Sequence, residues 1–164
     1  MPEDPGAERI LRGAIVLELN LASRYANEVA NRELRAAGVD PDEYGFLSVV
    51  GILQPVTRAR LARAIGARRT TLRDAIRPLV ERGHVREDPH PRDGRASLLT
   101  LTPAGQEIFD AGLPAFRRAL RAIDEALDGK LDEYEESVWT VRVSLQRLAA
   151  ADATPAGGRV PRAE

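Results

Sequence analysis

The sequence predicts a mainly α chain with one small β-hairpin, an α+β fold of about six helices. Three observations carry this. Apolar residues recur at helical spacing over residues 9–53 and again over 103–152. Between those regions, two short strand-like runs flank Asp93-Gly94. Basic charge also concentrates there: residues 57–95 hold eleven Arg against five Asp or Glu, a net of +6, whereas 1–56 and 120–152 each carry −4. A basic segment between acidic flanks marks a localised polyanion site, even in a chain whose net charge is −1.

The first helix is predicted over 8–36, with Leu11, Ile15, Ala22, Val29 and Leu34 at helical spacing and Tyr25 nearby. Gly38 and Pro41 end it. The second, Pro41 to Leu53, presents Tyr44, Leu47, Val50 and Leu53, and Pro55 breaks it. Thr57 can accept an orphan amide at the start of a short third helix containing Leu61, Ala62 and Ile65, and Gly66 stops it. A fourth helix, from about Arg69 to Arg82, offers Leu72, Ile76, Leu79 and Val80 to a core. Pro78 predicts a bend within it, and Gly83 its end.

Val85 to Asp88 and Ala96 to Leu101 read as strands, with a tight turn at Asp93-Gly94. Thr102-Pro103 pairs an N-cap with proline at the first helical position, opening a fifth helix that Pro114 should kink or split. Asp128-Gly129 makes a turn. In the last helix, Leu131, Tyr134, Val138, Val141, Leu145 and Leu148 follow 3-4 steps, the seam of a helix that packs along another helix. Residues 1–8 and the Pro- and Gly-rich tail 153–164 are expected to be disordered.

Composition excludes several classes. With no cysteine, the chain has no disulfide framework, thiolate zinc site or thiol redox sensor. The acidic start, MPEDPGAE, is no secretory signal, and no run is apolar for long enough to span a membrane. A cytoplasmic protein is therefore expected, associated with the nucleoid if the basic segment binds DNA. No nucleophile triad, phosphate-cradling Gly loop or metal-ligand spacing is present, so neither an enzyme nor a cofactor or metal site is expected. His84 and His90, the two histidines, would need carboxylate help to hold a metal. Asp132, Glu133, Glu135 and Glu136 read as favourable charge at a helix start.

Ala62, Gly66 and Leu72 stand at the offsets of a helix-turn-helix: a small residue at the helix contact, glycine in the turn, an apolar anchor on the second helix. With the strand, turn and strand that follow, they make a winged helix. At this point residues 56–105 resemble the MarR family of bacterial transcription regulators, through VTRARLARAIG, RRTTLRDAIRPLVERGHV and DPHPRDGRASLLTLTPAG. The family's Asp-x-Arg in the wing is Asp93-Gly94-Arg95, and its Leu-Thr-x-x-Gly is Leu101-Thr102-Pro103-Ala104-Gly105.

The resemblance implies N-terminal scaffold and dimerisation helices over 9–53, a DNA-binding lobe over 54–102 and C-terminal dimerisation helices over 103–152. It implies an obligate homodimer on a pseudo-palindromic operator, more often repressing than activating. Leu11, Ile15, Leu131, Val138, Val141, Leu145 and Leu148 would form the dimer interface. Carried over residue by residue, DNA reading falls on Arg68, Arg69, Thr70, Thr71, Arg73 and Arg77 at the recognition helix, and on Arg92 and Arg95 in the wing. Asp93 would cap the wing turn and orient Arg95 through a charge-assisted bond. Asp74 could pair with Arg73 or Arg77, or accept from a cytosine amino group. Arg68 departs from the Asp or Ser often found there, because arginine cannot cap a helix.

A small aromatic or phenolic effector is implied too, with Tyr25, Tyr44 and Phe116 as pocket residues, Trp139 as a further aromatic, and Arg12 or Arg24 as a carboxylate anchor. A winged-helix protein-interaction module without an operator is the other reading the residues leave open.

Overall fold

Six helices and a three-stranded antiparallel sheet make up residues 14–151, the part that the computed structural model describes. Leu11, Arg12, residues 1–8 and the tail 153–164 lie outside it. In chain order the elements are α1 (Ile15–Ala36), α2 (Pro41–Leu53), β1 (Val56–Thr57), α3 (Arg58–Ile65), α4 (Arg69–Glu81), β2 (Val85–Pro89), β3 (Ser97–Leu101), α5 (Pro103–Ala126) and α6 (Leu131–Ala151). One compact unit extends through Ala122, and a second begins at Ile123.

Local signals set most boundaries. Asp40 Oδ1 accepts the Asp42 amide at 3.0 Å, capping α2, with Pro41 at its first position. Thr102 Oγ1 accepts the Gly105 amide at 3.1 Å at the head of α5. Pro114 neither splits α5 nor ends it; the helix is continuous from Pro103 to Ala126. A proline removes one backbone donor, and the buried residues Gly112, Ala115 and Ala119 hold that face of α5 in place through packing. Asp128 and Gly129 both take left-handed backbone, at φ 55° and 73°, and form the turn before α6.

The sheet has one strand more than the sequence predicts. β1 pairs antiparallel with β3 (Val56 opposite Leu99, Thr57 opposite Leu98), giving the order β1-β3-β2. Two residues are too short to show a period. The Gln54 side chain extends this edge by accepting the Leu101 amide at 2.8 Å.

Val56, Leu61, Leu72, Ile76, Val85 and Leu99, with Leu47 and Val50 of α2, are essentially fully buried in one core. Each such side chain contributes about 1.5–3 kcal/mol on leaving water. The core thus fastens α2, α3, α4 and the base of the hairpin into one body. A second cluster joins Leu34 of α1, Val39, Tyr44 of α2 and Ala115 of α5. Tyr44 stacks on Phe109, with ring centroids 6.4 Å apart, and burial raises its phenol pKa above the ordinary range, with Asp110 adding to the shift.

Candidate nucleic-acid interface

α3 and α4 form the helix-turn-helix. Thr57 Oγ1 accepts the Arg60 amide at 3.2 Å at the head of α3. Gly66 turns left-handed at φ 67°, which lets the Ala67 amide reach the Ala62 carbonyl at 3.0 Å. Ala62 and Leu72 both lie in the core, as their spacing predicts.

Arg68 is the N-cap residue of α4, in extended backbone, and no side chain caps the helix there. The departure at Arg68 therefore leaves the first-turn amides for an external acceptor, at the end of the helix where the dipole favours an anion. Arg68, Arg69, Thr70, Thr71, Arg73 and Arg77 are all exposed. Asp74 is exposed among them, and within the described residues it forms no ion pair with Arg73 or Arg77.

The wing differs from a two-residue hairpin. β2 and β3 pair from Val85 opposite Leu101 to Pro89 opposite Ser97, and the His90 amide then reaches the Ala96 carbonyl at 3.1 Å. Residues 91–95 make the loop through two successive turns, Asp93 amide to His90 carbonyl and Ala96 amide to Asp93 carbonyl. Neither Asp93 nor Gly94 has positive φ, which a type I′ turn would require. Asp93 Oδ1 accepts the backbone amide of Arg95 at 3.0 Å, so its charge-assisted bond orients the Arg95 backbone and leaves the guanidinium free of it. His90 Nδ1 accepts the Arg92 amide at 3.2 Å, which places the proton of the neutral ring on Nε2.

Between the head of α4 and the wing lies a cleft of about 670 Å³. Arg69, Leu72 and Arg73 line it from α4, Thr57, Arg58 and Ala59 from β1 and α3, and His90, Asp93, Arg95, Ala96 and Ser97 from the wing. The fold thus brings Arg69, Arg73, Asp93 and Arg95 together across more than twenty residues of sequence. Arg68, Thr70, Thr71, Arg77 and Arg92 are not among its lining residues.

Sequence reasoning missed Arg58, and it weighed His90 only as a metal ligand and not as a cleft residue. Arg58 donates from Nε to Glu87 Oε1 at 2.9 Å and from Nη2 to Oε2 at 2.7 Å. Ser97 Oγ also donates to Glu87 Oε1. The Arg58 bond, outweighing partial burial, holds the Glu87 carboxyl at about 2. Thr57 next to a basic residue gave only an N-cap signal; the partner lies 29 residues on, where no local pattern points to it.

The remaining candidates are dispersed. His84 Nδ1 lies 2.6 Å from Glu43 Oε1, and Arg82 Nη1 lies 3.4 Å from the same oxygen, so this histidine ties the segment leading into β2 to α2. Tyr44 is interior, at 3% exposure, whereas Tyr25 and Phe116 are exposed; none of the three lines the cleft. The Arg24 guanidinium sits 5.3 Å from the Tyr25 ring centroid. Along α6, Val138, Trp139, Leu145 and Leu148 are exposed, and Leu131 and Val141 are half-buried. Ile15 of α1 is exposed as well. No helix of the described residues is long and apolar enough to cross a membrane.

No protein-family profile matches the chain. It is 26% identical over 164 residues to a putative transcriptional regulatory protein for the hcr operon of Thauera aromatica, covering 96% of this chain and 95% of that one. Among solved structures, a MarR-family transcriptional regulator from Rhodococcus sp. RHA1 is similar at TM-score 0.66 and 20% identity, covering 80% of this chain and 94% of that one. The transcriptional regulator MosR of M. tuberculosis, solved in complex with DNA, is similar at TM-score 0.64 and 22% identity, covering 84% and 97%.

Proposed function

Because this chain has the winged-helix fold of the MarR-family transcriptional regulators, we propose that it is a sequence-specific regulator of transcription that binds duplex DNA as a homodimer. The observation that carries this reading is the single cleft that faces Arg69 and Arg73 of α4 across to Arg95 of the wing. An exposed helix start with an uncapped amide end suits the major groove, where arginine reaches guanine O6 and N7. Arg95 suits the narrow, electronegative minor groove of an A·T-rich step. Arg68, Thr70, Thr71, Arg77 and Arg92 are exposed on α4 and in the wing loop and suit phosphate contacts. MosR, which shares this fold, was solved in complex with DNA, and that supports a duplex as the ligand.

Pairing of two copies is the reading supported by the apolar seam that α6 leaves in solvent and by exposed Ile15 on α1. A dimer would place two recognition helices on half-sites about one helical turn, ~10 bp, apart. In this reading the protein is a repressor, released when an aromatic or phenolic acid bound near exposed Tyr25 or Phe116, rather than at buried Tyr44, shifts the spacing of the two lobes.

The test is selection of duplexes from a randomised pool, followed by a salt titration of the enriched site. Phosphate neutralisation predicts a log–log slope of about −0.9 per contact. Failure to enrich any duplex, with dimerisation intact, would favour a protein-interaction module.

A further inference from the structure

We infer that Arg58 and Glu87 are positioning residues for DNA reading: they clamp the wing to the helix-turn-helix and so set the span between Arg69 and Arg95. The inference rests on the proposed DNA-binding role.

Four arginines line the cleft, and Arg58 differs from the other three. Its Nε and Nη2 are both spent on Glu87, and its Nη1 is buried with no partner. Such a guanidinium is committed to the protein rather than offered to a ligand. Arg69, Arg73 and Arg95 are exposed.

Register explains how the pair meets. Leu99 of β3 lies opposite Val56 on one side and Glu87 on the other, so the edge leading into α3 and the middle of β2 flank the same residue. Arg58, two residues beyond Val56, closes the gap to Glu87. β1 meets β3 at only two residue pairs, at Leu98 and Leu99, and the loop beyond Ser97 is exposed. A hairpin alone is marginally stable. Among the described residues, no other ion pair or side-chain hydrogen bond ties the wing to α3 or α4. The fork of two parallel bonds fixes orientation as well as distance, and Ser97 extends the hold to β3.

The experiment uses a duplex that the wild-type protein enriches from a randomised pool. Glu87→Gln and, as a second variant, Arg58→Lys are measured in the wild-type and Arg95→Ala backgrounds, with folding checked by thermal unfolding. Lysine keeps the charge but cannot make the fork. Each variant should weaken binding roughly three- to thirtyfold, the range of coupled neighbours, and should add almost nothing once Arg95 is gone. Equal losses in both backgrounds, or no loss in either, would overturn the inference.

A second readout is independent of DNA. The chain has no cysteine, so spin labels at Thr71→Cys and Gly94→Cys report the span between helix and wing alone. Glu87→Gln should broaden that distance distribution; an unchanged distribution overturns the clamp. If the wild type enriches no duplex, the DNA-binding reading fails and its positioning role with it, while the distance measurement still judges the clamp itself.

Discussion

Gly105 lies so close to the His84 carbonyl that a β-carbon there would be 2.0 Å from that oxygen. The approach has a cause in hydrogen bonds on either side of it. The Thr102 amide donates to the same His84 carbonyl at 3.0 Å, and Thr102 Oγ1 donates to the Gly83 carbonyl at 2.6 Å. The head of α5 is therefore fastened to the segment where α4 gives way to β2. The glycine of Leu-Thr-x-x-Gly is thus a packing requirement of the joint between α4, the wing and α5.

Gly105→Ala should consequently lose stability near the top of the usual overpacking range, about 3 kcal/mol, because the obstacle is backbone and cannot rotate away. Gly45→Ala makes the contrast. Gly45 sits in α2 with nothing within 4 Å of an added β-carbon. There alanine should gain about 0.5–1 kcal/mol from helix propensity. Urea denaturation of the two variants reads both signs.

Glu87 should shape the acid limb of stability. Its carboxyl is depressed from an ordinary value of 4.5 to about 2 by the Arg58 bonds. A depressed acid contributes stability that is fully present above the unfolded value and is lost as pH falls through the folded one. The window is therefore from 4.5 down to about 2. Glu87→Gln should be less stable than wild type at neutral pH, and the gap should close across that window. Denaturation midpoints measured at several pH values check this; a pH-independent gap would count against it.

Tyr44 should matter through its ring. It is buried beneath α5, where a β-carbon on Gly112 would meet the ring at 2.0 Å, and its hydroxyl reaches the Phe109 carbonyl only at 3.5 Å. Tyr44→Ala should cost about 3–5 kcal/mol, as large aromatic deletions do. Tyr44→Phe should cost within about 1 kcal/mol, since the bond given up is long. Thermal unfolding separates the two.

Leu145→Glu with Leu148→Glu should abolish pairing of two copies. Both leucines are exposed on α6 at positions of the 3-4 seam. Two carboxylates in an apolar helix seam are costly to desolvate. Sedimentation should show dimer for the wild type and monomer for the variant; an unchanged dimer would place the interface elsewhere.

What the sequence showed and what it hid divides along a physical line. Caps, stops and apolar stripes are local, so Thr57, Gly66, Thr102 and the core positions of α2 and α4 were legible. The exposure of the arginines on α4 and the wing was legible too, because a basic run there falls off the apolar stripe. β1 was not, since two residues carry no period and its pairing is with a strand some forty residues away. The Arg58–Glu87 clamp is non-local in the same way. The wing loop was read from the Asp-Gly pair as a tight turn, whereas His90 and Ala96 close a wider loop around it. Tyr44 carried the pattern of both a core residue and a pocket aromatic, and only packing decides between them; it lies in the core.

The most direct test of the central claim is the affinity of Arg69→Ala and Arg95→Ala for the duplex that the wild type selects. Arg69→Ala should lose roughly tenfold or more and relax preference at one major-groove position, as removal of a forked guanine contact does. Arg95→Ala should lose preference for an A·T-rich flank. If both variants bind with wild-type affinity and wild-type preference, the cleft between α4 and the wing is not the DNA-reading site.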